Sequence, residues 1–235
     1  MRVDAPASLA VHGRTMEPPD TPPAGEPRWI AWAKELQSVA MNGLHYANTP
    51  YDTERYGQVL RVAAEMIAAQ SGSPDLRPVL DLLRHDTGYI TPKVDVRGVV
   101  FRDGRMLLVR ELADGGRWTL PGGWADPNDS PSQAVEREIR EETGYEARAV
   151  RLLAVYDRSH PRHGHEPPMP VHCYKLFFLC ELTGGSPLTS HETGESRFFA
   201  EDAIPDDISV SRVSHPQLAG FFRAMRGGNP EADFD

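Results

Sequence analysis

Three glutamates near the middle of the chain have the spacing that places side chains on one face of a helix. Glu138, Glu141 and Glu142 stand at i, i+3 and i+4, and residues so spaced are neighbours on a helix surface. Like charges in that arrangement destabilise a helix, so the cluster requires a compensating cation. Carboxylate oxygens are hard ligands that suit Mg²⁺ or Mn²⁺. The spacing therefore predicts a divalent-metal site, and Arg137 can neutralise part of the cluster.

The neighbouring residues predict the helix that must position these glutamates. Ser130 is suited to the N-cap and Pro131 to the first helical position. No helix-breaking residue follows until Gly144, which stands where a C-terminal cap glycine is expected. Glycines before the helix, Gly122 among them, would let the backbone approach a metal ion or a phosphate closely. The simpler alternative is a solvated acidic helix that binds nothing.

The stretch 122–145 resembles the Nudix box, G-x5-E-x7-R-E-U-x-E-E-x-G-U, in which U is a bulky apolar residue. The positions that fall on this pattern are Gly123, Arg137, Glu138, Ile139, Glu141, Glu142, Gly144 and Tyr145. Asp129 departs from it, because the family has a glutamate there that supports the helix and the box arginine. The resemblance implies an α/β fold, a Nudix α/β/α sandwich with a mixed sheet. It also implies Mg²⁺ as cofactor, with Mn²⁺ as the alternative, and the metal ligands would be Gly122 through its carbonyl, Glu138, Glu141 and Glu142.

Carboxylates on a helix behind a glycine-rich loop suit the hydrolysis of a phosphoanhydride. Bound metal ions neutralise the charge of a pyrophosphate, lower the pKa of a bound water and align it with phosphorus. Arg137, Glu141 and Glu142 are the candidate catalytic residues of the box. The general base is left open between a box glutamate and a glutamate of a later polar stretch, either Glu192 or Glu195. Of the latter two we favour Glu195, because it lies just before a predicted strand.

The chain of 235 residues suits one domain with an extension. Residues 1–27 are rich in proline, alanine and glycine and predict a disordered tail. Residues 28–87 predict a small helical N-terminal domain, and residues 93–227 predict the Nudix domain. Helices are predicted at 28–46, 51–70, 76–84 and 216–226, and strands at 94–101, 106–110, 147–156, 171–182 and 197–199. The last residues of the chain are expected to fray.

The helical segment 28–87 resembles the N-terminal extension of a Nudix subgroup that acts on nucleoside diphosphates linked to another moiety, X. Its apolar stripes could pack three helices together or pack against a partner chain, so a homodimer is expected. We interpret Trp29 and Trp32 as packing residues rather than as a ligand-stacking pair. Pro161 lies sixteen residues after Tyr145, where Nudix members resembling ADP-ribose pyrophosphatases often carry a proline. It therefore indicates the same substrate class as the N-terminal extension.

These resemblances predict hydrolysis of a nucleoside diphosphate linked to X, with ADP-ribose and CDP-choline as leading candidates, to a nucleoside monophosphate and a phosphorylated X. One alternative is a ligand-binding regulator that uses the Nudix fold without catalysis, but such proteins usually lose the box glutamates, which are present here. Another alternative is an enzyme that sanitises nucleoside triphosphates or processes RNA ends. The N-terminal extension disfavours the former, and the net charge of −9 disfavours the latter.

Several side chains outside the box could contact the substrate. The loop 157–170 is locally basic and contains Arg158, His160, Arg162, His163 and His165. Because arginine binds phosphate through two parallel hydrogen bonds, Arg158, His160 and Arg162 are candidates for a phosphate or ribose clamp. A zinc site formed by the histidines and a surface loop without a ligand are the alternatives. Trp124 could either border the substrate or pack against the protein.

The composition is that of a globular protein, with 40% hydrophobic and 25% charged residues. The negative net charge disfavours DNA as a partner. No apolar run reaches the length of a membrane span, and the N-terminus lacks a hydrophobic signal core. Cys173 and Cys180 lie an odd number of residues apart in one predicted strand, on opposite faces, so they cannot pair with each other. We therefore expect a cytoplasmic protein without a membrane partner.

Overall fold

The computed structural model describes residues 27–71, 75–85, 88–163, 165, 167–188, 193–227 and 231–235. Within these residues the helices are α1 (Arg28–Tyr46), α2 (Pro50–Ser71), α3 (Arg77–Arg84), α4 (Pro131–Thr143) and α5 (His215–Met225). The strands are β1 (Lys93–Arg102), β2 (Arg105–Glu111), β3 (Arg117–Thr119), β4 (Tyr145–Asp157), β5 (Cys173–Gly185), β6 (Thr193–Phe199) and β7 (Asp233–Phe234). Apart from residue 27, the tail predicted at 1–27 lies outside the described residues.

The strands form one mixed sheet in the order β3-β2-β1-β5-β4-β7, with β6 paired to β2. β1 runs parallel to β5 and antiparallel to β2. The turn between β1 and β2 places Asp103 at φ 53 and Gly104 at φ 73, which is the pair of positive φ angles that favoured two-residue hairpin turns require. The mixed sheet and this hairpin confirm the prediction from the sequence.

Helices cover both faces of the sheet. On one face Ile139 of α4 is fully buried in a cluster with Val96 of β1. On the other face the rings of Phe221 in α5 and Phe177 in β5 lie 5.0 Å apart. A Cβ on Gly98 of β1 would lie 2.6 Å from Ile139 Cδ1, so the missing side chain lets α4 approach the sheet closely. The result is the predicted α/β/α sandwich.

The three N-terminal helices pack around a separate small core that includes Ala40 and Leu83. Trp29 is partly buried. Trp32 is 48% exposed, so it is not buried within this chain, and its packing against a partner chain stays a prediction. The reason is that α1 turns a different side inward, where Ala33 is fully buried and its small side chain allows a close helix contact. The large aromatic ring next to it in the chain therefore faces outward.

Two segments near the C-terminus differ from the prediction. β6 begins at Thr193, so Glu195 lies within a strand rather than just before one, and Glu192 lies outside the described residues. β7 pairs in parallel with β4, although fraying was expected there. The hydroxyl of Tyr156 donates to Asp233 Oδ2 at 2.7 Å, which fastens β7 to the sheet by a side chain as well. Among the helices described, none combines the length and hydropathy needed to cross a membrane.

Candidate active site

The box helix α4 begins and ends where its capping residues predict. The Ser130 hydroxyl accepts from the Gln133 N–H at 3.3 Å, and the Gln133 side chain accepts from the Ser130 N–H at 2.9 Å, which forms a capping box. At the other end Gly144 has φ 73 and donates its N–H to Arg140 O. These caps fix where α4 starts, and hence the direction in which each glutamate of the box points.

Gly122 ties the loop before α4 to both the sheet and the helix. Its φ is 140, and a Cβ there would lie 2.0 Å from Val96 O, so only glycine fits. Its N–H donates to Glu142 Oε2 at 2.8 Å. The next residue, Gly123, lies close to the side chain of Glu138, because a Cβ on Gly123 would lie 3.1 Å from Glu138 Oε2. The loop therefore lies directly against two of the predicted metal ligands.

Arg137 is the cation within the acidic cluster. Its Nε donates to Asp129 at 3.0 Å, and its Nη1 donates to Glu138 at 2.9 Å and to Glu141 at 3.2 Å. Its Nη2 lies 3.1 Å from Asp126 Oδ2. Burial opposes the charge of Arg137, but the surrounding carboxylates outweigh this effect and raise its pKa. The aspartate that departs from the box pattern, Asp129, therefore still supports the box arginine.

Glu142 is the most deeply buried of the three box carboxylates, with 6% of the residue exposed. Burial raises the pKa of Glu142 to about 8, with Glu138 and Glu111 adding to the rise and Arg97 and the Gly122 N–H opposing it. Burial also raises the pKa of Glu138. Burial disfavours the charge of these carboxylates, and a bound cation would offset that cost. The box thus has the electrostatic character of a cation site.

The box glutamates open onto a cavity of about 1320 Å³. Gly122 and Trp124 line it beside them. The rest of the lining is charged or apolar and consists of Asp95, Arg97, Glu111, Leu112, Ala113, Gly123, Asp126, Arg137, Arg158, Pro167, Pro168, Met169, Pro170, Cys173, Lys175, Ser211 and Arg212. Such a cavity exceeds the usual volume of a small-molecule site, roughly 300–1,000 Å³. It is large enough for a substrate with two organic groups joined by phosphates.

Models of known protein families match both parts of the chain. The NUDIX domain model matches residues 91–218, which is more than half of the chain. This chain belongs to the Nudix hydrolase family. A second model, described as a UDP-X-like, N-terminal oligomerisation domain, matches residues 27–82. The resemblance seen in the box and the resemblance seen in the helical extension are therefore both confirmed.

Similar proteins include several that are named for related activities. "Putative ADP-ribose pyrophosphatase YjhB" of Bacillus subtilis (strain 168) is 41% identical over 208 residues, which cover 88% of this chain and 97% of that protein. Among solved structures, a UDP-X diphosphatase has a TM-score of 0.56 at 29% identity and covers 88% of this chain and 98% of its own. An ADP-ribose pyrophosphatase from Streptococcus suis has a TM-score of 0.55 at 35% identity, over 62% of this chain and all of its own.

The Nudix cavity contains a buried ion cluster that the sequence analysis missed. Arg97 Nη2 lies 2.7 Å from Asp95 Oδ2, and Lys175 Nζ lies 2.7 Å from Asp95 Oδ1. Burial disfavours the charge of Asp95, but the two cations together lower its pKa. The signal was present in the sequence, because charged residues alternate along β1 and a lysine interrupts the apolar strand β5. Charged residues in strands that are otherwise apolar require charged partners when buried.

A second charged pair in the lining comes from a segment without a recognisable motif. Arg212 Nε lies 3.2 Å from Glu111 Oε2, and its Nη1 lies 3.7 Å from Asp114 Oδ2. Arg212 belongs to the irregular stretch between β6 and α5, which no periodicity singled out. The pair therefore joins the end of β2 to this stretch at the edge of the cavity.

Two of the predicted substrate residues lie at the cavity. Trp124 lines it and is 46% exposed. Arg158 also lines it but is buried, and its Nε donates to Ser211 O at 3.1 Å while its Nη2 donates to Pro167 O at 2.9 Å. Arg158 thus holds the loop 157–170 against the stretch that contains Arg212. It is part of the wall of the site.

The structure does not bring His160 and Arg162 to the cavity. His160 Nδ1 lies 3.6 Å from Asp235 Oδ1, and Arg162 pairs with the carboxylate of Asp233. Neither residue lines the cavity. The reason is that a single 3-10 turn at residues 161–163 directs these side chains towards β7, whose presence the sequence did not predict. A role for these two residues in the predicted clamp stays a prediction, and their positions do not support it.

A third predicted site residue, Glu195, is also not part of the cavity lining. It is exposed, and it accepts from Arg197 Nε at 2.9 Å. β6 pairs with β2 on either side of this residue, but the register shifts between Ser196 and Thr193, so Glu195 lies at an irregularity of the sheet. A role for Glu195 as the general base stays a prediction, and its position does not support it.

Proposed function

We propose that this Nudix hydrolase is a Mg²⁺-dependent pyrophosphohydrolase that cleaves a nucleoside diphosphate linked to X, of the ADP-ribose or CDP-choline type. The products would be a nucleoside monophosphate and a phosphorylated X. The observation that carries the proposal is that the buried carboxylate of Glu142 and its two box partners line the same cavity as Trp124. A cation site and an aromatic surface are thereby placed within reach of one substrate.

The donor groups fit a hard divalent cation. We assign metal ligation to the carboxylates of Glu138, Glu141 and Glu142 and to the carbonyl of Gly122, all of which are oxygen donors of the kind that Mg²⁺ prefers. Mn²⁺ accepts similar ligands and is the alternative. The fit rests on the position of these four residues in one cavity lining, where burial, together with Glu138 and Glu111, raises the pKa of Glu142. A bound cation would supply positive charge there and would neutralise the pyrophosphate of the substrate.

The other box residues have supporting roles in this proposal. Arg137 keeps Glu138 and Glu141 in place through the hydrogen bonds described above. We assign the general base to a box glutamate, because these carboxylates line the cavity, and keep Glu195 as the alternative. The base would take the proton of the attacking water as the water adds to phosphorus.

The substrate class follows from the cavity together with the names of the similar proteins. Trp124 offers an exposed ring on which a nucleobase could stack, and Leu112 and Met169 extend the apolar lining. The guanidinium of Arg158 contributes a positive charge to the cavity lining beside these groups. Relatives named for ADP-ribose and UDP-X hydrolysis that span nearly the whole chain support a nucleoside diphosphate derivative over a nucleoside triphosphate.

We further infer a cytoplasmic homodimer that binds neither DNA nor membranes. The two cysteines of β5 are unpaired and buried, which fits a reducing compartment. The match of residues 27–82 to an oligomerisation domain supports self-association through the N-terminal helices. The net charge of −9 remains unfavourable for contact with nucleic acid or an anionic membrane.

A substrate panel tests the proposal. The full chain would be assayed with Mg²⁺ on ADP-ribose, CDP-choline, a UDP-sugar and nucleoside triphosphates, with products separated by chromatography. We expect kcat/KM on a diphosphate-X compound to exceed that on any triphosphate by at least about tenfold, which corresponds to roughly 1.4 kcal/mol of transition-state binding. A preference for triphosphates would reverse the assignment. Binding of a diphosphate-X compound without turnover would instead support the non-catalytic regulator.

A further inference from the structure

Outside the cavity, side chains of the loop 157–170 and of the C-terminal residues converge on one point. His163 Nε2 lies 2.7 Å from Asp235 Oδ1, and His160 Nδ1 lies 3.6 Å from the same oxygen. These three ligand atoms all lie within 4.8 Å of one another. From this geometry we propose that His160, His163 and Asp235 bind a zinc-class transition-metal ion, at a site distinct from the Nudix box.

The atom types select the metal. Two imidazole nitrogens and one carboxylate oxygen are ligands that suit Zn²⁺ and its neighbours in the transition series, whereas Mg²⁺ prefers oxygen alone. Ligand atoms bound tetrahedrally at about 2.0–2.1 Å lie roughly 3.3 Å apart. The separation between His160 Nδ1 and Asp235 Oδ1 is already close to that value. The shorter contact of His163 would widen slightly when the ion replaces its hydrogen bond.

The groups around the three ligands hold them in place. The ring of Tyr156 stacks on that of His163 with centroids 3.9 Å apart, and His163 is buried. The Asp157 N–H donates to Asp235 Oδ2 at 2.6 Å, which leaves Oδ1 directed at the histidines. Such surrounding contacts fix the orientation of metal ligands and favour binding. His163 and Asp235 are therefore held in place before an ion arrives, whereas an ion at His160 Nδ1 would replace the long hydrogen bond, 3.4 Å, that this atom accepts from the Arg162 N–H.

The local charge is negative overall. Asp157, Asp233 and Asp235 contribute three carboxylates around the site, while Arg162 contributes one guanidinium, with Nε 4.0 Å from Asp235 Oδ1. Arg162 opposes a second cation, but it pairs with Asp233, and His172 pairs with Asp157. Arg162 and His172 thus each have a carboxylate partner other than Asp235.

The third histidine of the loop is not a ligand of this site. His165 Nδ1 lies 2.9 Å from Val210 O, and His165 Nε2 lies 3.2 Å from the side-chain nitrogen of Gln217. Both ring nitrogens are therefore engaged with the stretch before α5 and with α5 itself. Three protein ligands leave a fourth position of a tetrahedral ion for water.

Metal binding at this site would brace one wall of the Nudix cavity. The ligands join the loop 157–170 to the residues that follow β7, and the same loop supplies Arg158 and Pro167 to the cavity lining. The role we assign to the ion is structural. The inference does not depend on the proposed substrate or on the metal bound by the box.

Zinc stoichiometry tests the inference. The full chain would be stripped with a chelator, exchanged into buffer with excess Mg²⁺ to occupy the box, and titrated with Zn²⁺ against a chromophoric competitor. We expect one zinc per chain in the wild type, and a rise in Tm on zinc addition. Asp235→Asn and His163→Ala should each weaken zinc binding by at least about tenfold. His45→Ala, which removes an exposed histidine of α1, is the matched control and should bind like the wild type.

Two outcomes would overturn the inference. In one, the wild type and Asp235→Asn hold the same amount of zinc with the same affinity. In the other, zinc binding is lost in Glu138→Gln but kept in Asp235→Asn, which places the zinc in the box. Because Asp235→Asn changes a single atom at a terminal segment, it keeps the test informative if His163→Ala fails to fold. Co²⁺ in place of zinc gives a second readout, since tetrahedral coordination produces intense visible absorption that Asp235→Asn should abolish.

Discussion

The pKa of the Glu142 carboxylate is set by the groups that surround it. Its carboxylate is buried between α4 and the glycine loop, where it accepts the Gly122 N–H at 2.8 Å. The ordinary pKa of a glutamate is 4.5, whereas burial raises the pKa of Glu142 to about 8. The raised pKa describes the protein without a metal ion, and a bound cation would return the group to its charged form.

Replacing this carboxylate should abolish turnover while keeping the fold. Glu142→Gln retains an oxygen that can accept the Gly122 N–H but lacks the charge needed for a metal ligand. Residues that only support metal ligands typically contribute 10–100-fold to activity, so we expect a loss of at least about a hundredfold in kcat with Mg²⁺. Glu195→Gln tests the alternative general base and should stay within a few-fold of the wild type. An equal loss in both variants would instead assign Glu195 an essential role.

The same residue predicts how stability depends on pH in a chelator. The pKa of Glu142 is about 8 in the folded chain against 4.5 as the ordinary value, so the folded state holds the proton more tightly. The free energy of unfolding should therefore fall as pH rises from about 4.5 to about 8, by on the order of a few kcal/mol. Glu142→Gln cannot titrate and should show a flatter profile. Urea unfolding at several pH values measures this, and parallel profiles would contradict the assignment.

At the scale of elements, the position of α4 depends on glycines that allow backbone to approach backbone or side chain. The missing side chain of Gly98 in β1 leaves room for Ile139, and the missing side chain of Gly122 leaves room for the carbonyl oxygen of Val96. The capping box at Ser130 and the glycine cap at Gly144 set the two ends of the helix. Together these contacts determine where the box glutamates lie relative to the sheet.

Gly122→Ala should therefore cost more than an alanine at a glycine with open surroundings. Gly104 is the matched control, because it also has positive φ, 73, but nothing lies within 4 Å of its Cβ position. A left-handed alanine costs about 1–2 kcal/mol, which applies at Gly104, whereas φ 140 at Gly122 lies outside the left-handed region open to alanine and should cost at least as much. At Gly122 the contact with Val96 O at 2.0 Å should add on the order of 1–3 kcal/mol. Chemical unfolding of both variants checks this, and equal losses would disprove the packing argument.

At the scale of the whole molecule, the N-terminal helices leave apolar side chains on their surface. Trp32 and Val39 are 48% and 52% exposed, and their separation of seven residues places them on one face of α1. The model of an N-terminal oligomerisation domain matches residues 27–82, which include α1. A face of this kind is expected to be covered by a second chain.

Charge on this face should reduce self-association. We expect the double variant Trp32→Glu, Val39→Glu to shift the mass measured by light scattering from dimer towards monomer. Val150→Glu, which alters an exposed apolar residue of β4 at 46% exposure, is the matched control and should leave the mass unchanged. A monomeric wild type, or a double variant that remains fully dimeric, would exclude α1 as the dimer contact.

Local patterns in the sequence determined the elements and the core of the site. The capping residues, the glutamate spacing and the hairpin turn act between residues close in the chain, so α4, the place of its glutamates in the helix and the β1–β2 hairpin could be predicted. Tertiary structure alone decided which distant groups meet. The pairing of Asp95 with Lys175, the contact of Arg212 with Glu111 and the seating of His160 and Arg162 on β7 depend on how strands far apart in sequence are placed side by side. No periodicity in one segment encodes that placement, because it is set by the packing of all the elements together.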